Sequence, residues 1–356
     1  MGHLILGPES DLIGTDANEQ RGQYRPHTTH THYFAFHIPE ADIGCYIYVR
    51  YLPYFSCSQG NVAIFQGTDN HQLLDMVHLN YAMTVDWPTV TGNIITTTQG
   101  LRIEFVELGR EARVTYRSPD GSASFELHQS AVTALCGRAA VLPGEDAHAS
   151  MQPGGSEQFM HCTGELQLDG KTYAIDCYPI RDRSWNQDRS EARRGRVDLP
   201  ISWTPVYFDN DLYVNQVGFE QLSSKPCWEG FLDPPPAGYP GFLFAWVGRG
   251  DEIRDVVRVQ RNVVELHPTL YYPLKQEVEI EDDRGEVYRM TGEALAHSPN
   301  VAWPHAFAYD SVYRWQTDDG RVGYGSCQGI WYEGFQHAMK RKRAQADCSG
   351  SGVRDR

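Results

Sequence analysis

The sequence lacks any long apolar run, and no stretch approaches the roughly 18 residues that a membrane-spanning helix needs. Its first 14 residues include no basic region, and their apolar segment is too short for a secretory signal peptide. The eight cysteines contain no C-x-x-C pair, which predicts buried apolar residues or free thiols and not a disulfide framework. We therefore expect a cytoplasmic protein without an integral membrane segment.

Positive charge is also scarce, because 31 basic residues stand against 46 acidic ones and the net charge is −15. Nucleic acid is a poor partner for such a chain, since phosphate binding requires a basic face. The one basic run, KRKR at residues 340–343, lies in a polar C-terminal segment. We therefore expect no nucleic-acid partner.

Familiar nucleotide-binding and metalloprotease signatures are absent: there is no G-x-G-x-x-G after a strand, no G-x-x-x-x-G-K-[ST] and no H-E-x-x-H. In the segment YGSCQG at residues 324–329, Cys327 occupies the place of a nucleophile, and a buried small residue is the favoured interpretation. His27, His30 and His32 form H-x-x-H-x-H, and on a strand the last two share a face. Hydrogen-bonding histidines are favoured there over a metal site, which stays an open alternative.

Helical periodicity is almost absent, whereas aromatic and β-branched residues form many short runs that turn residues separate. Hairpin turns are predicted at Asp169-Gly170, at residues 282–285 and at residues 318–320. This pattern predicts an all-β protein of the sandwich or barrel type. The polar, charged interruption at residues 186–200 suggests one β-domain over residues 1–190 and a second over 191–340, followed by a polar tail over 341–356.

The chain is organised around residues 177–189, CYPIRDRSWNQDR, which place basic and acidic side chains directly after an apolar strand. On an extended strand Arg181, Arg183 and Trp185 point one way and Asp182 points the other. If Asp182 faces an apolar cavity, its pKa rises and it can protonate an alkene, enol or carbonyl. If it pairs with a flanking arginine, it stays ionised within a structural ion-pair seam. The residues alone favour the seam and leave both interpretations open.

The span from Glu157-Gln158 through Asp169-Gly170 to RDRSW at residues 181–185 and Arg189 resembles the signature of carotenoid 1,2-hydratase and AttH-like proteins. Plant-type tocopherol cyclases are structurally related to that family. The segments HYFAF at residues 32–36 and GYG at 323–325 match other landmarks of its poorly characterised bacterial branch. Arg183 stands where that branch frequently has His, which affects the expected acid–base chemistry more than the expected fold.

The resemblance implies two lipocalin-like antiparallel β-barrels or half-barrels, packed side by side with an apolar ligand cavity. It implies hydration, cyclisation or isomerisation of a hydrophobic isoprenoid-, steroid- or polyketide-type molecule, without an organic cofactor and without a metal. Asp182 is the expected proton donor, with Trp185 facing the cavity or a developing cation. The site expected on this basis has the catalytic residues Asp182, Trp185 and Arg183 and the substrate-binding residues Arg181, Glu157, Arg189, Tyr324 and Trp331.

These expectations define two classes of function, beside the further possibility of a structural protein whose barrels are filled with side chains. The leading one is a cofactor-independent enzyme that protonates a small hydrophobic molecule in an apolar pocket. The alternative is a non-catalytic carrier of a hydrophobic ligand, which would need the cavity but no titratable group facing it. The sequence leaves the substrate and the oligomeric state open, with a homodimer among the alternatives.

Overall fold

The computed structural model describes residues 2–139 except 20, residues 152–188, 200–220 and 241–332 except 269, 271, 304 and 305, and residues 334, 337–338 and 340–341. Apart from short 3-10 helices, the elements with defined bounds are all strands, which confirms the all-β expectation. None of the helices formed by the described residues has the length and hydrophobicity of a bilayer-crossing segment. The 3-10 helices are Pro8–Leu12, Arg21–Gln23, Pro39–Ala41, Pro53–Phe55 and Leu73–Asp75.

The first half of the chain forms a 14-stranded antiparallel sheet that curves into a half-barrel. Its main path runs in the order β5-β4-β3-β2-β14-β12-β10-β9-β8-β7-β6, while β13 and β11 also pair with β12, and β1 pairs with β11. The strands are β1 (His3–Ile5), β2 (Thr28–Ile38), β3 (Ile43–Leu52), β4 (Cys57–Gln66), β5 (His78–Asp86), β6 (Thr89–Thr91), β7 (Ile94–Thr96), β8 (Leu101–Glu107), β9 (Glu111–Arg117), β10 (Ala123–Ala131), β11 (Cys136–Arg138), β12 (Gly154–Leu168), β13 (Lys171–Cys177) and β14 (Ile180–Asp188).

The second half forms a nine-stranded antiparallel sheet that closes on itself, because β17 pairs with β18 at the end of the path. The short strands β15 and β16 each pair with β17 and β23 and so share one position, which gives an eight-position barrel. This architecture confirms the expected pair of lipocalin-like sheets. The strands are β15 (Ile201–Trp203), β16 (Val206–Asp209), β17 (Leu212–Phe219), β18 (Phe242–Arg249), β19 (Glu252–Leu266), β20 (Pro273–Asp282), β21 (Val287–Trp303), β22 (Ala306–Thr317) and β23 (Val322–Tyr332).

The proposed domain boundary at residues 190 and 191 falls within residues 189–199, which lie outside the described residues, as does the tail from residue 342 onward.

The predicted hairpin turns are confirmed, since β12 and β13 meet at Leu168 and Lys171. Asp169 and Gly170 both have positive φ, at 48° and 78°. Those angles match the two-residue turn whose twist suits antiparallel strands. β20 with β21, and β22 with β23, are likewise consecutive paired strands.

Strand β2 lies between two hydrophobic cores, and all 11 of its residues are buried. Phe34 and Phe36 pack into the core inside the first sheet, whereas Tyr33 and Ala35 pack into a core shared with the second sheet. Successive side chains of a strand point to opposite faces, so the alternation assigns one face to each core. β14 pairs directly with β2 and occupies the same position between the cores.

The two sheets are in close contact at Gly44 on β3, where the chain has no side chain. A Cβ atom at Gly44 on β3 would lie 2.5 Å from the Phe65 ring and 2.7 Å from a methyl group of Val312 on β22. Phe65 and Val312 both belong to the core that the two sheets share. Gly44 therefore sets the packing distance between the sheets at this point.

We expect Gly44→Val to lower the free energy of unfolding by about 1–3 kcal/mol, because three extra carbons would overpack the contact with Val312. Chemical denaturation measures this loss. Gly22→Ala is the control, since a Cβ there meets no atom within 4 Å. A Gly44→Val protein as stable as the wild type would show that the sheets do not pack as described.

Candidate active site

Strand β14 presents different chemistry on its two faces. Asp182 lies opposite Glu157 on β12 and opposite Tyr33 on β2. Residues directly opposite each other on neighbouring strands share a face, and Tyr33 belongs to the core between the sheets. Glu157 and Asp182 therefore face the second sheet, whereas Arg181 and Arg183 face the interior of the first. The alternation expected for this stretch is the one observed.

Arg181 forms a buried ion pair with Asp11 in the 3-10 helix Pro8–Leu12. Its two terminal nitrogens lie 2.6 and 3.3 Å from the Asp11 carboxylate oxygens, and its Nε donates to Gln158 at 2.9 Å. Asp11 also accepts a hydrogen bond from the backbone N–H of Gly109 at 2.7 Å. This two-pronged contact joins the N-terminal segment to the centre of the first sheet. The partner of Arg181 in this ion pair is Asp11, whereas the expected seam paired Asp182 with a flanking arginine. The substrate-binding role of Arg181 stays a prediction.

Arg183 donates hydrogen bonds to backbone carbonyl groups. It bonds the carbonyl oxygen of Thr31 at 2.6 Å, and also the carbonyls of Ile13 and Ser184. Burial lowers the pKa of Arg183 to about 10, so the side chain remains charged at neutral pH. The guanidinium therefore holds β2 and the N-terminal segment together from inside the first sheet.

The histidine run lies in the same polar layer. Nδ1 of His30 accepts a hydrogen bond from the backbone N–H of Asn186 at 3.1 Å, and Nε2 of His32 donates to the carbonyl of Asp11 at 2.9 Å. Burial and the nearby Arg183 lower the pKa of His30 to about 3 and the pKa of His32 well below its usual value. Both rings are therefore neutral. Hydrogen bonding, the favoured expectation, is confirmed for these two histidines.

Trp185 lies on the arginine face of β14, opposite Gly154 on β12. A Cβ atom at Gly154 would lie 2.4 Å from the indole ring, so the ring packs directly over that glycine. Asn186 then adopts a left-handed conformation with φ 52° beside a register shift in the pairing of β14 with β2. Trp185 and Asp182 are thus on opposite faces of the strand.

Glu157 and Asp182 form a pair of neighbouring carboxyl groups between the sheets. Withdrawal from water and the charge of Asp182 raise the pKa of the half-buried Glu157 to about 8. The side-chain amide of Asn215 on β17 donates to Glu157, and Trp203 Nε1 donates to the Asn215 oxygen at 2.9 Å. Asp182 accepts hydrogen bonds from Thr31 and Ser184, each at 3.5 Å. The negative charge of Asp182 therefore adds to burial in favouring the protonated form of Glu157.

Asp310 on β22 is a buried acid that the sequence analysis missed. Its side chain is 2 % exposed, and burial raises its pKa to about 7. The Tyr33 hydroxyl donates to it at 3.4 Å, and the same hydroxyl stays protonated because burial raises the pKa of Tyr33. The available signal was an aspartate within the aromatic strand AFAYDSVYRWQT.

A small cleft adjoins Asp310. Its free volume of about 10 Å³ is close to what one water molecule needs. Tyr33 and Asp310 supply polar groups, and most of the remaining wall is apolar or aromatic. The other lining residues are Ala35, Phe36, His37, Cys45, Phe65, Pro179, Val312 and Ser326. Asp182 and Glu157 are not among the lining residues of this cleft.

Aromatic rings connect the acids of this face, which we call the inter-sheet acid cluster (Glu157, Asp182 and Asp310). The ring of Tyr33, which donates to Asp310, lies edge-on to Trp203 with centroids 5.2 Å apart. Trp203 in turn bonds Asn215, the partner of Glu157. A continuous path of contacts across the interface therefore joins Glu157 and Asp310, the two acids whose pKa is raised.

The remaining predicted site residues come from different places. The ring of Tyr324 on β23 lies 5.9 Å from that of His37, a residue that lines the cleft. Trp331 is opposite Phe307 on β22, but its side chain lies outside the described residues. Arg189 lies wholly outside them. The structure therefore brings Tyr324 towards the cleft, and the roles of all three stay predictions.

The fold and the site define a two-sheet, lipocalin-like protein with acids buried between its halves. A family model matches residues 15–333, and the chain belongs to the family described as Domain of unknown function (DUF7064). Comparison with curated proteins finds no match.

Three solved structures are similar over most of their length. Kievitone hydratase from Nectria haematococca has 11% identity, covers 93% of this chain and 94% of its own, and has a TM-score of 0.51. An AttH-like protein from Nitrosomonas europaea has 10% identity, coverage of 85% and 92%, and a TM-score of 0.49. CghA with Sch210972 has 10% identity, coverage of 86% and 89%, and a TM-score of 0.40. The likeness to the hydratase shows a shared fold, which supports the family resemblance at that level. The bacterial branch stays a prediction.

Removing one partner of the Asp11–Arg181 pair should be costly, because it leaves a buried charge without compensation. We expect Arg181→Met to lower the free energy of unfolding by about 3–5 kcal/mol, and the double variant Asp11→Leu/Arg181→Met to lose less than the single one. Urea denaturation of the full cycle measures the coupling. Lys275→Met, which removes an exposed partner 2.8 Å from Glu293, should cost far less, because solvent screens an exposed ion pair. Additive losses in the cycle would contradict a coupled buried pair.

Asp310→Asn should stabilise the protein at high pH. In the folded protein the pKa of this carboxyl is about 7, above its ordinary value of 3.8. The contribution of this carboxyl to the free energy of unfolding is therefore fully present below the lower pKa and is lost as pH rises through the higher one. We expect the variant's gain to be larger at pH 8 than at pH 4, by roughly 1–3 kcal/mol. Denaturation at both pH values measures it. The exposed Asp283→Asn should show no such difference, and a pH-independent effect of Asp310→Asn would refute the raised pKa.

Proposed function

We propose that this chain is an enzyme that uses buried carboxylic acids to hydrate, cyclise or isomerise a small hydrophobic molecule. The observation that carries the proposal is the position of the Asp310 carboxyl at the edge of an aromatic cleft. Burial there raises the pKa of Asp310 to about 7. A general acid works best when its pKa lies near the working pH, because a large fraction is then protonated and the group is still acidic enough to transfer the proton. Enzymes recurrently use a carboxylic acid whose pKa is raised by apolar surroundings for that purpose.

Asp310 is the proposed proton donor. With a pKa of about 7, the Asp310 carboxyl is protonated in a substantial fraction of the molecules at neutral pH. Protonating an alkene or a carbonyl leaves a cation or its equivalent, which nearby aromatic faces stabilise. Tyr33 holds the carboxyl in place through its hydroxyl. A water molecule in the cleft would then add to the cation and return one proton to the Asp310 carboxylate, which completes a hydration and restores the acid.

The Glu157–Asp182 pair is the proposed second acid. The donor role expected for Asp182 is shared in this proposal, since burial and the charge of Asp182 raise the pKa of Glu157 to about 8. Arg181 and Arg183 are proposed as positioning residues that fix β14, because their observed partners are Asp11 and backbone carbonyls. Tyr324, beside His37, is proposed to line the substrate path.

The proposed substrate is a small apolar molecule of terpenoid, steroid or aromatic polyketide type. The apolar residues around Asp310 support this class, and so does the hydratase that shares the fold. Because the cleft has room for about one water molecule, the proposal requires the residues around Asp310 to move apart when the substrate binds. Proton transfer and addition of water require only side-chain acids, and the proposal therefore assigns no cofactor. Arg189, Trp185 and Trp331 remain proposed contributors to the site.

We expect the wild-type protein to convert at least one member of a panel of prenylated phenols and isoprenoid alkenes. Liquid chromatography with mass spectrometry distinguishes hydration, which adds one water, from cyclisation, which leaves the mass unchanged. Asp310→Asn should lower kcat by about 10²-fold or more, and Glu157→Gln by a smaller factor. The wild-type kcat should fall as pH rises above about 7, the pKa of Asp310.

Asp283→Asn, an exposed substitution on the same sheet, is the control and should keep the wild-type rate. If Asp310→Asn is folded and turns over substrate at an unchanged rate, Asp310 is not the donor. Recovery of bound, chemically unaltered ligand by native mass spectrometry, with no turnover of the panel, would favour the hydrophobic-ligand carrier.

A further inference from the structure

A second group of side chains joins the two sheets at a place remote in sequence from the inter-sheet acid cluster. Asp69 and His71 lie between β4 and β5 of the first sheet, and His267 follows β19 of the second. Their potential ligand atoms all lie within 4.8 Å of one another. We propose that these three residues bind a divalent transition-metal ion of the zinc class, which clamps the two sheets together.

The donor set matches the chemistry of such ions. Two imidazole nitrogens and one carboxylate oxygen are a recurrent combination for zinc, with water at the fourth position. Nε2 of His267 lies 3.8 Å from a carboxylate oxygen of Asp69, and the rings of His71 and His267 are perpendicular with centroids 5.6 Å apart. Bond lengths of about 2.0–2.2 Å in a tetrahedral site require ligand atoms roughly 3.3 Å apart. Asp69 and His71 are exposed and can rotate by the small distance needed.

The backbone beneath the exposed ligands is firmly held. The side chain of Asn70, between Asp69 and His71, donates to the carbonyl of His297 on β21 at 2.7 Å. The Tyr272 hydroxyl donates to the carbonyl of Thr68 at 2.7 Å. The segment is thus already attached to the second sheet before any ion binds. A fixed backbone with adjustable side chains lowers the cost of assembling the site.

The protonation of His267 sets an expectation for affinity. Nδ1 of His267 accepts a hydrogen bond from the backbone N–H of Leu270 at 3.1 Å, so the neutral ring carries its proton on Nε2. Binding through Nε2 moves that proton to Nδ1 and breaks the bond to Leu270. The ring itself stays in place through its stack on Tyr272, with centroids 5.1 Å apart. Because one hydrogen bond is lost, we expect binding roughly tenfold weaker than at a site whose second ring nitrogen keeps its partner.

A simple surface ion pair is the competing interpretation, and the chain offers a direct comparison. His161 and Asp176 form an exposed pair at 2.7 Å on the first sheet. Among the described residues, no third potential ligand lies close enough to that pair to form a metal site with it. It has the same charge chemistry as Asp69 with His267 and no second histidine. If Asp69, His71 and His267 form a metal site, substitutions there should weaken metal binding and substitution of His161 should not. If both places are simple ion pairs, neither substitution should affect metal binding.

The test is titration of the untagged full-length protein with zinc chloride and with cobalt chloride, by calorimetry and by visible absorption. We expect one ion per chain, the visible bands of a tetrahedral cobalt site without thiolate charge transfer, and a higher Tm when zinc is bound. His71→Ala and Asp69→Ala change exposed residues, so both variants should fold with an unchanged metal-free Tm. Each should weaken binding by more than the 10–100-fold that loss of an outer-shell partner costs.

His161→Ala is the matched control and should bind both ions as the wild type does. His267→Gln tests the buried ligand and should abolish the zinc-dependent rise in Tm. The proposal is overturned if His71→Ala and Asp69→Ala bind zinc with wild-type affinity, if binding needs millimolar ion, or if the cobalt spectrum shows thiolate coordination. The result does not depend on the proposed enzyme function, which the Asp310 variants test separately.

Discussion

The structure depends on β14, a strand that pairs with the buried β2 between the two hydrophobic cores and carries charged side chains on both of its faces. A charge removed from water must find a partner or lose its charge. On the inner face Arg181 finds Asp11, and Arg183 finds backbone carbonyls. On the other face the carboxyl of Glu157 meets that of Asp182 and retains its proton instead. The same constraint therefore produces a structural layer on one side and an acidic layer on the other.

The acidic layer lies where the two sheets meet, which is also where ligand sites in proteins commonly form. The second sheet contributes Asp310 and Asn215, and the first contributes Glu157 and Tyr33. Neither sheet alone provides both the raised acids and their hydrogen-bond partners. Catalysis by this cluster would thus require the two sheets to stay docked, and the close approach at Gly44 maintains that contact.

Much of the fold was predictable because its signals are local. Asp169-Gly170 specifies its hairpin by turn chemistry alone, and the scarcity of helical periodicity left strands as the main element. The faces of β14 followed from the two-residue period, so the separation of Asp182 from Arg181 and Arg183 was also predictable. The partner of Arg181 was not, because Asp11 lies 170 residues away in sequence.

The sequence by itself determined the all-β class, the hairpins and the alternation of acid and guanidinium along β14, since each depends on neighbouring residues. Only the tertiary structure decided which carboxyl groups retain a proton. The pKa of Asp310 depends on the water excluded around it and on Tyr33, which lies 277 residues away and approaches only when the sheets dock. Acidity of this kind is a property of packing, and no local pattern encodes it.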